Sequence, residues 1–230
     1  MTKPSDWTTD LTGELLLLGL LSKLTYTEPD EALLHPLLEA DIFAEAPLGA
    51  DFAETAQGLA LLSGWLAAQN GELTTAALKE LQADYTALFL GPGKMLAPLW
   101  ESVYFSEERL VFQERTLAVR EWYRRFGLEP EKLYREPDDH IGLELSFMAR
   151  LAGLALEALE MGDQAEFDKL IASQKEFFRA HLLQWGPAWA ELVIQYARTD
   201  FYRGLGYLTL GALQAAARLF ELPVPARAEK

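Results

Sequence analysis

The apolar residues of this chain recur at helical intervals, and nowhere do they alternate with polar residues at the two-residue period a strand needs. No hairpin dipeptide lies between apolar runs, so the sequence is read as all-α. Glycine and proline divide it into about nine helices. Leu11 to Leu24 is apolar on most faces and reads as a buried helix. Glu31 to Glu39 is a short helix weakened by Pro36. Asp51 to Asn70 is amphipathic and ends at Gly71; Glu72 to Leu90 is closed by Gly91-Pro92-Gly93. Lys94 to Phe105 reads as loop. Ser106 with Glu107 and Glu108 starts a helix that runs to Phe126. After a second loop at Leu128 to Glu136, Pro137 takes a first-turn position in a helix reaching about Met161. Asp163 to Trp185 and Ala188 to Arg198 are separated by Gly186-Pro187, and Thr199-Asp200 caps a last helix, Phe201 to Leu222. The organisation expected is one helical domain, 1–222, with lobes 1–127 and 137–222 permitted by a hinge at 128–136. The tail, 223–230, is expected to be flexible.

Composition sets the class. The chain has 230 residues, half of them apolar, enough to bury one sizeable core. It has no cysteine, which rules out disulfides and thiolate metal sites and fits a reducing compartment. Its longest apolar run, Leu15 to Leu21, is seven residues, against the roughly 20 that span a bilayer. The opening MTKPSDWTTD has no basic segment leading into an apolar one, so no secretory signal is expected and a cytoplasmic location is. Net charge is −15, and Leu24 to Leu78 holds nine Asp or Glu with no Lys or Arg. That sign disfavours nucleic acid and anionic lipid and favours a cationic partner.

Two clusters stand out. Tyr85, Leu88 and Phe89 fall at i, i+3 and i+4, one stripe on a helix, and lead into a loop carrying Met95, Trp100, Val103 and Tyr104. Such a stripe either fills a core, the simpler account of Leu88, or lines an apolar groove for a peptide. Glu136, Pro137, Asp138, Asp139 and His140 form the second cluster. Helix-dipole compensation explains Asp138 and Asp139 but not His140. A carboxylate pair beside an imidazole also suits an arginine guanidinium. A metal site of Asp138, Asp139, His140 and Glu144 is the alternative, though the chain has only three histidines and no zinc spacing. There is no GxSxG, no P-loop and no dinucleotide fingerprint, so no enzyme activity and no cofactor are expected. Arg124-Arg125 reads as a solvated helix face.

At these residues the sequence resembles the TorD/DmsD family of redox-enzyme maturation chaperones. The family's aromatic-x-x-Leu-Phe element stands here as Tyr85-Thr86-Ala87-Leu88-Phe89. Its Glu-Pro-x-Asp-His element stands as Glu136-Pro137-Asp138-Asp139-His140. The intervening loop and TLAVREWY run look most like the DmsD branch. The resemblance implies an all-helical chaperone that binds the twin-arginine (Tat) leader of a molybdopterin-containing reductase of DMSO/TMAO-reductase type. Its partners would be that leader, the catalytic subunit and the Tat translocase. The chaperone would be a monomer or a domain-swapped dimer, and no residue here predicts guanine-nucleotide binding. The resemblance places the leader at Leu88, Phe89, Trp100, Tyr104, Asp139 and His140. Tyr85, Glu136, Pro137 and Asp138 join them as motif neighbours. An assembly factor that touches the folded client instead of its leader is the rival reading.

Overall fold

The computed structural model describes residues 6–91, 95–106, 111, 114–129 and 136–225. The chain is all-α. Among the described residues there are ten α-helices and no strand: α1 (Trp7–Tyr26), α2 (Glu31–Glu39), α3 (Ala53–Ala68), α4 (Thr75–Tyr85), α5 (Glu101–Phe105), α6 (Glu114–Arg125), α7 (Ile141–Glu160), α8 (Gln164–Ala180), α9 (Leu182–Tyr196) and α10 (Asp200–Leu219). A π-helical turn, Thr86–Leu90, extends α4. The chain divides into two compact units. One comprises residues 1–26, 99–186 and 216–223; the other comprises 27–98, 187–215 and 224–230.

The first unit is built on the packing of α1 against α7. The two helices run antiparallel, because Gly142 at the start of α7 meets the end of α1 while Gly153 faces Leu15. A Cβ on Gly142 would lie 2.8 Å from that of Tyr26 and 3.1 Å from the Ser22 carbonyl, so only glycine lets the backbones approach this closely. α8 returns along α7, and Phe147 and Phe177 meet edge-to-face at 4.7 Å, with Tyr123 of α6 against Phe147 at 5.0 Å.

In the second unit α3 crosses α10. A Cβ on Gly58 would lie 2.6 Å from the Leu208 amide nitrogen, so here too glycine sets the approach. Asp84 is buried and caps α10 from a distant element. Its Oδ2 accepts from the Thr199 amide at 2.8 Å and the Thr199 hydroxyl at 2.7 Å.

Several boundaries differ from those expected of the sequence. Glu101 to Phe105 is helix, not loop, because its cap comes from residue 139 and leaves no local trace. α7 begins at Ile141 and not at Pro137, since His140 is its cap. Gly186-Pro187 does not break the chain: α9 runs through it. Proline there removes one hydrogen bond, while Trp185, Trp189 and Ala190 are almost wholly buried on the same helix. The helix expected from Ser106 is seen from Glu114. Glu107, Glu108, Pro92 to Lys94, most of the expected hinge (130–135) and the end of the tail (226–230) lie outside the described residues.

Glu14 is the one acidic residue buried inside α1. It is wholly buried, and neither carboxylate oxygen has a hydrogen-bond partner. Burial first, and the charge of Asp10 second, push its pKa from 4.5 up to about 8. The folded state therefore holds this proton more tightly than the unfolded chain does. The stability it confers is present below pH 4.5 and is lost as pH rises toward about 8. Glu14→Gln should flatten that decline and raise the melting temperature at pH 8 by several degrees. Parallel melting curves for the two proteins from pH 5 to pH 8 would show that Glu14 is not the group responsible.

Candidate functional site

The Glu136–His140 cluster is held by the first unit as a buried polar network. Two short extended segments lie side by side. The Glu101 amide donates to the Asp139 carbonyl at 2.9 Å, and the Ile141 amide donates to the Leu99 carbonyl at 2.8 Å. Between them Trp100 and His140 pair as an isolated antiparallel bridge. This places the Asp139 carboxylate over the first turn of α5. Its Oδ2 accepts from the Ser102 amide at 2.7 Å and its Oδ1 from the Thr116 hydroxyl of α6 at 2.9 Å. Asp139 thus caps a helix from a remote segment. Burial pushes its pKa up, and the bonds from Ser102 and Thr116 act against that rise.

Asp138 is equally buried and forms an ion pair with Arg120 of α6, whose Nε points at Oδ2. The Tyr123 hydroxyl donates to the Asp138 carbonyl at 3.1 Å. His140 accepts from the Gly142 amide through Nδ1 at 3.0 Å, capping α7. A neutral ring making this bond carries its proton on Nε2, which faces Glu136 at 3.7 Å. The ring lies edge-to-face with Tyr26 and Trp100.

Two further carboxylates lie in the same unit. Glu101 is wholly buried between Arg115, at 2.5 Å from Oε1, and His181, whose Nδ1 is 2.9 Å from Oε2. Glu144 is wholly buried and accepts from the Trp185 indole at 3.2 Å through Oε2. Its other oxygen has no hydrogen-bond partner. Burial, then the charges of Glu101 and Asp139, hold the Glu144 carboxyl well above the usual carboxylate range.

The predicted site residues fall into two groups. Trp100, Tyr104 and Glu136 are partly exposed, and Pro137, Asp138, Asp139 and His140 lie buried behind them in the first unit. Tyr85, Leu88 and Phe89 belong to the second unit and are buried there. Phe89 stacks on Trp189 at 6.1 Å and meets Tyr202 edge-to-face at 5.6 Å; Tyr85 meets Phe89 at 5.1 Å. The carboxylates proposed for a partner's arginines, Asp138 and Asp139, are already engaged inside the protein. The donors proposed for a metal are engaged too: Asp138 by Arg120, and Nδ1 of His140 by a backbone amide.

Sequence reasoning missed Glu101, Arg115, Thr116, Arg120, His181 and Trp185. Arg120 was findable, because Thr116, Val119, Arg120 and Tyr123 fall at i, i+3, i+4 and i+7 of one stripe, all buried. Glu101 and His181 are 80 residues apart and leave no local pattern.

Removing the Asp139 carboxylate strands two buried donors and uncaps α5. Asp139→Ala should lower unfolding free energy by about 3 kcal/mol, and Asp139→Asn, which retains one acceptor, by less. Urea denaturation checks this. An alanine variant within about 0.5 kcal/mol of the parent would overturn the capping account.

Comparison with known proteins follows the same residues. Residues 45–191 match the family described as "Nitrate reductase delta subunit". The chain is 31% identical over 202 residues to the Tat proofreading chaperone DmsD of Salmonella typhi, covering 85% of this chain and 86% of that one. It is 32% identical over 136 residues to the chaperone protein TorD of Actinobacillus pleuropneumoniae serotype 3, covering 59% and 61%. A crystal structure of a candidate redox enzyme maturation protein from Archaeoglobus fulgidus aligns over 90% of this chain and 94% of that one. Its identity is 18% and its TM-score 0.46, too low to bear on the fold.

Proposed function

The chain belongs to the TorD/DmsD family of redox-enzyme maturation chaperones, and we propose that it serves one molybdopterin-containing reductase in the cytoplasm by binding the enzyme's twin-arginine leader before export. The observation that carries this reading is the similarity to a Tat proofreading chaperone across 86% of that protein's length. The partners are the leader and the catalytic subunit that bears it, of the DMSO/TMAO-reductase type.

Two features of the chain support leader recognition. A twin-arginine leader is basic and then apolar. A net charge of −15 draws the basic part by long-range attraction. Trp100 and Tyr104 offer partly exposed aromatic surface to the apolar part, and the Glu136 carboxylate faces His140, whose ring meets Trp100. Asp138, Asp139 and His140 act behind this surface. Their bonds to Arg120, Ser102, Thr116 and Gly142 fix Trp100 and the start of α5, which carries Tyr104. They are positioning residues in this reading, and the partly exposed Glu136 is the motif carboxylate that meets the peptide.

Calorimetric titration with a synthetic twin-arginine leader, beside a Lys-Lys version of it, tests the proposal. Saturable binding that weakens roughly tenfold with Lys-Lys is expected, a loss of about 1.4 kcal/mol. Trp100→Ala should weaken both peptides with the fold intact by circular dichroism. Binding to the leader-deleted catalytic subunit at full strength, with none to either peptide, would overturn leader recognition and favour contact with the folded client.

A further inference from the structure

Arg115 lies in the first described turn of α6 and is held by α5. Glu101 and Phe105 are four residues apart and face the same way on that helix. Glu101 Oε1 takes the Arg115 Nη1 at 2.5 Å, and the guanidinium carbon lies 3.6 Å from the centroid of the Phe105 ring. The Ala180 carbonyl accepts from the same Nη1 at 3.4 Å. The carboxylate is wholly buried, but the arginine side chain is 34% exposed and Phe105 is 47% exposed. The anion and the aromatic face therefore belong to the fold, and the cation reaches them from the solvent side.

We propose that Glu101, Phe105 and the Ala180 carbonyl form a guanidinium seat, that Arg115 fills it in the free protein, and that an arginine of the client's leader displaces it. This rests on the leader-binding reading above. The seat cannot simply be vacated. Among the described residues, the wholly buried Glu101 carboxylate would keep only His181 as a side-chain partner, and a buried anion with one partner is costly. Exchange of one guanidinium for another avoids that cost, since the incoming group makes the same ion pair, stack and carbonyl bond. An ammonium cannot replace it. It has no plane to lay on the ring while donating to the carboxylate at its edge. The other buried pair, Arg120 with Asp138, is 8% exposed at the arginine and is closed to exchange.

The test uses the full chain, its Arg115→Ala and Phe105→Ala variants, and the twin-arginine and Lys-Lys peptides. Arg115→Ala removes the internal competitor. It should bind the twin-arginine peptide roughly tenfold more tightly than the parent does, with the Lys-Lys peptide unchanged. Millimolar methylguanidinium should raise the melting temperature of Arg115→Ala, and methylammonium at equal ionic strength should not. If Arg115→Ala fails to fold, Phe105→Ala decides: it keeps the ion pair and should lose preference for Arg-Arg over Lys-Lys. Parent protein that binds the twin-arginine peptide, with Arg115→Ala no tighter and Phe105→Ala equally selective, would overturn the seat and leave leader recognition standing. No binding of the peptide to any of the three proteins would overturn both.

Discussion

Asp139 is a buried carboxylate that caps a helix to which it does not belong, and the first unit's polar interior follows from that. A carboxylate removed from water must be hydrogen-bonded or protonated. Here Ser102 and Thr116 supply bonds from two elements, so α5, α6 and the segment entering α7 share one acceptor. With that segment fixed, Asp138 falls beside Arg120 and His140 falls at the N-terminus of α7. The bonds are mutually dependent: Asp138, Asp139 and His140 each satisfy a charge or a donor on a neighbouring element, and the network is either complete or costly.

The helices were legible because apolar period is a local property. The α-class, the amphipathic stripe of α6 and the capping of α10 near Thr199 could all be taken from neighbouring residues. What was not legible depends on residues far apart. Glu101 starts α5 only because Asp139 receives its neighbour's amide. Pro187 sits inside α9 because packing of the helix outweighs one lost hydrogen bond. The two motifs could be found and their residue types understood, but their burial could not. A cluster of acids at a helix start looks the same whether it faces water or an arginine two helices away.

This changes what the acidic composition means. Long-range attraction for a basic peptide needs only net charge, and −15 provides it. Close recognition of a guanidinium needs a carboxylate with open geometry. Asp138 is already paired with Arg120, and burial disfavours the charged form of Glu144. In the leader-binding reading proposed above, steering and contact fall to different residues: the first to the exposed acids together, the second to carboxylates reachable from solvent, among them the partly exposed Glu136.

The aromatic-x-x-Leu-Phe element poses a separate energetic question. Tyr85, Leu88 and Phe89 are 5%, 0% and 0% exposed, and Phe89 is enclosed by Trp189 and Tyr202. Exposing a buried phenylalanine costs about 1.5–3 kcal/mol, before the loss of its ring contacts is added. A peptide that touches Phe89 must make up that cost through a preference for the opened state, since equal affinity for both states shifts nothing. Trp100, Tyr104 and Phe105 need no such opening, being partly exposed as they stand. The two motifs therefore stand differently toward a client. The segment Trp100–Phe105, which pairs with the Glu136–His140 motif, presents surface in the free chain; the Tyr85–Phe89 motif stabilises its own unit, and any contact it makes is one the client has to drive.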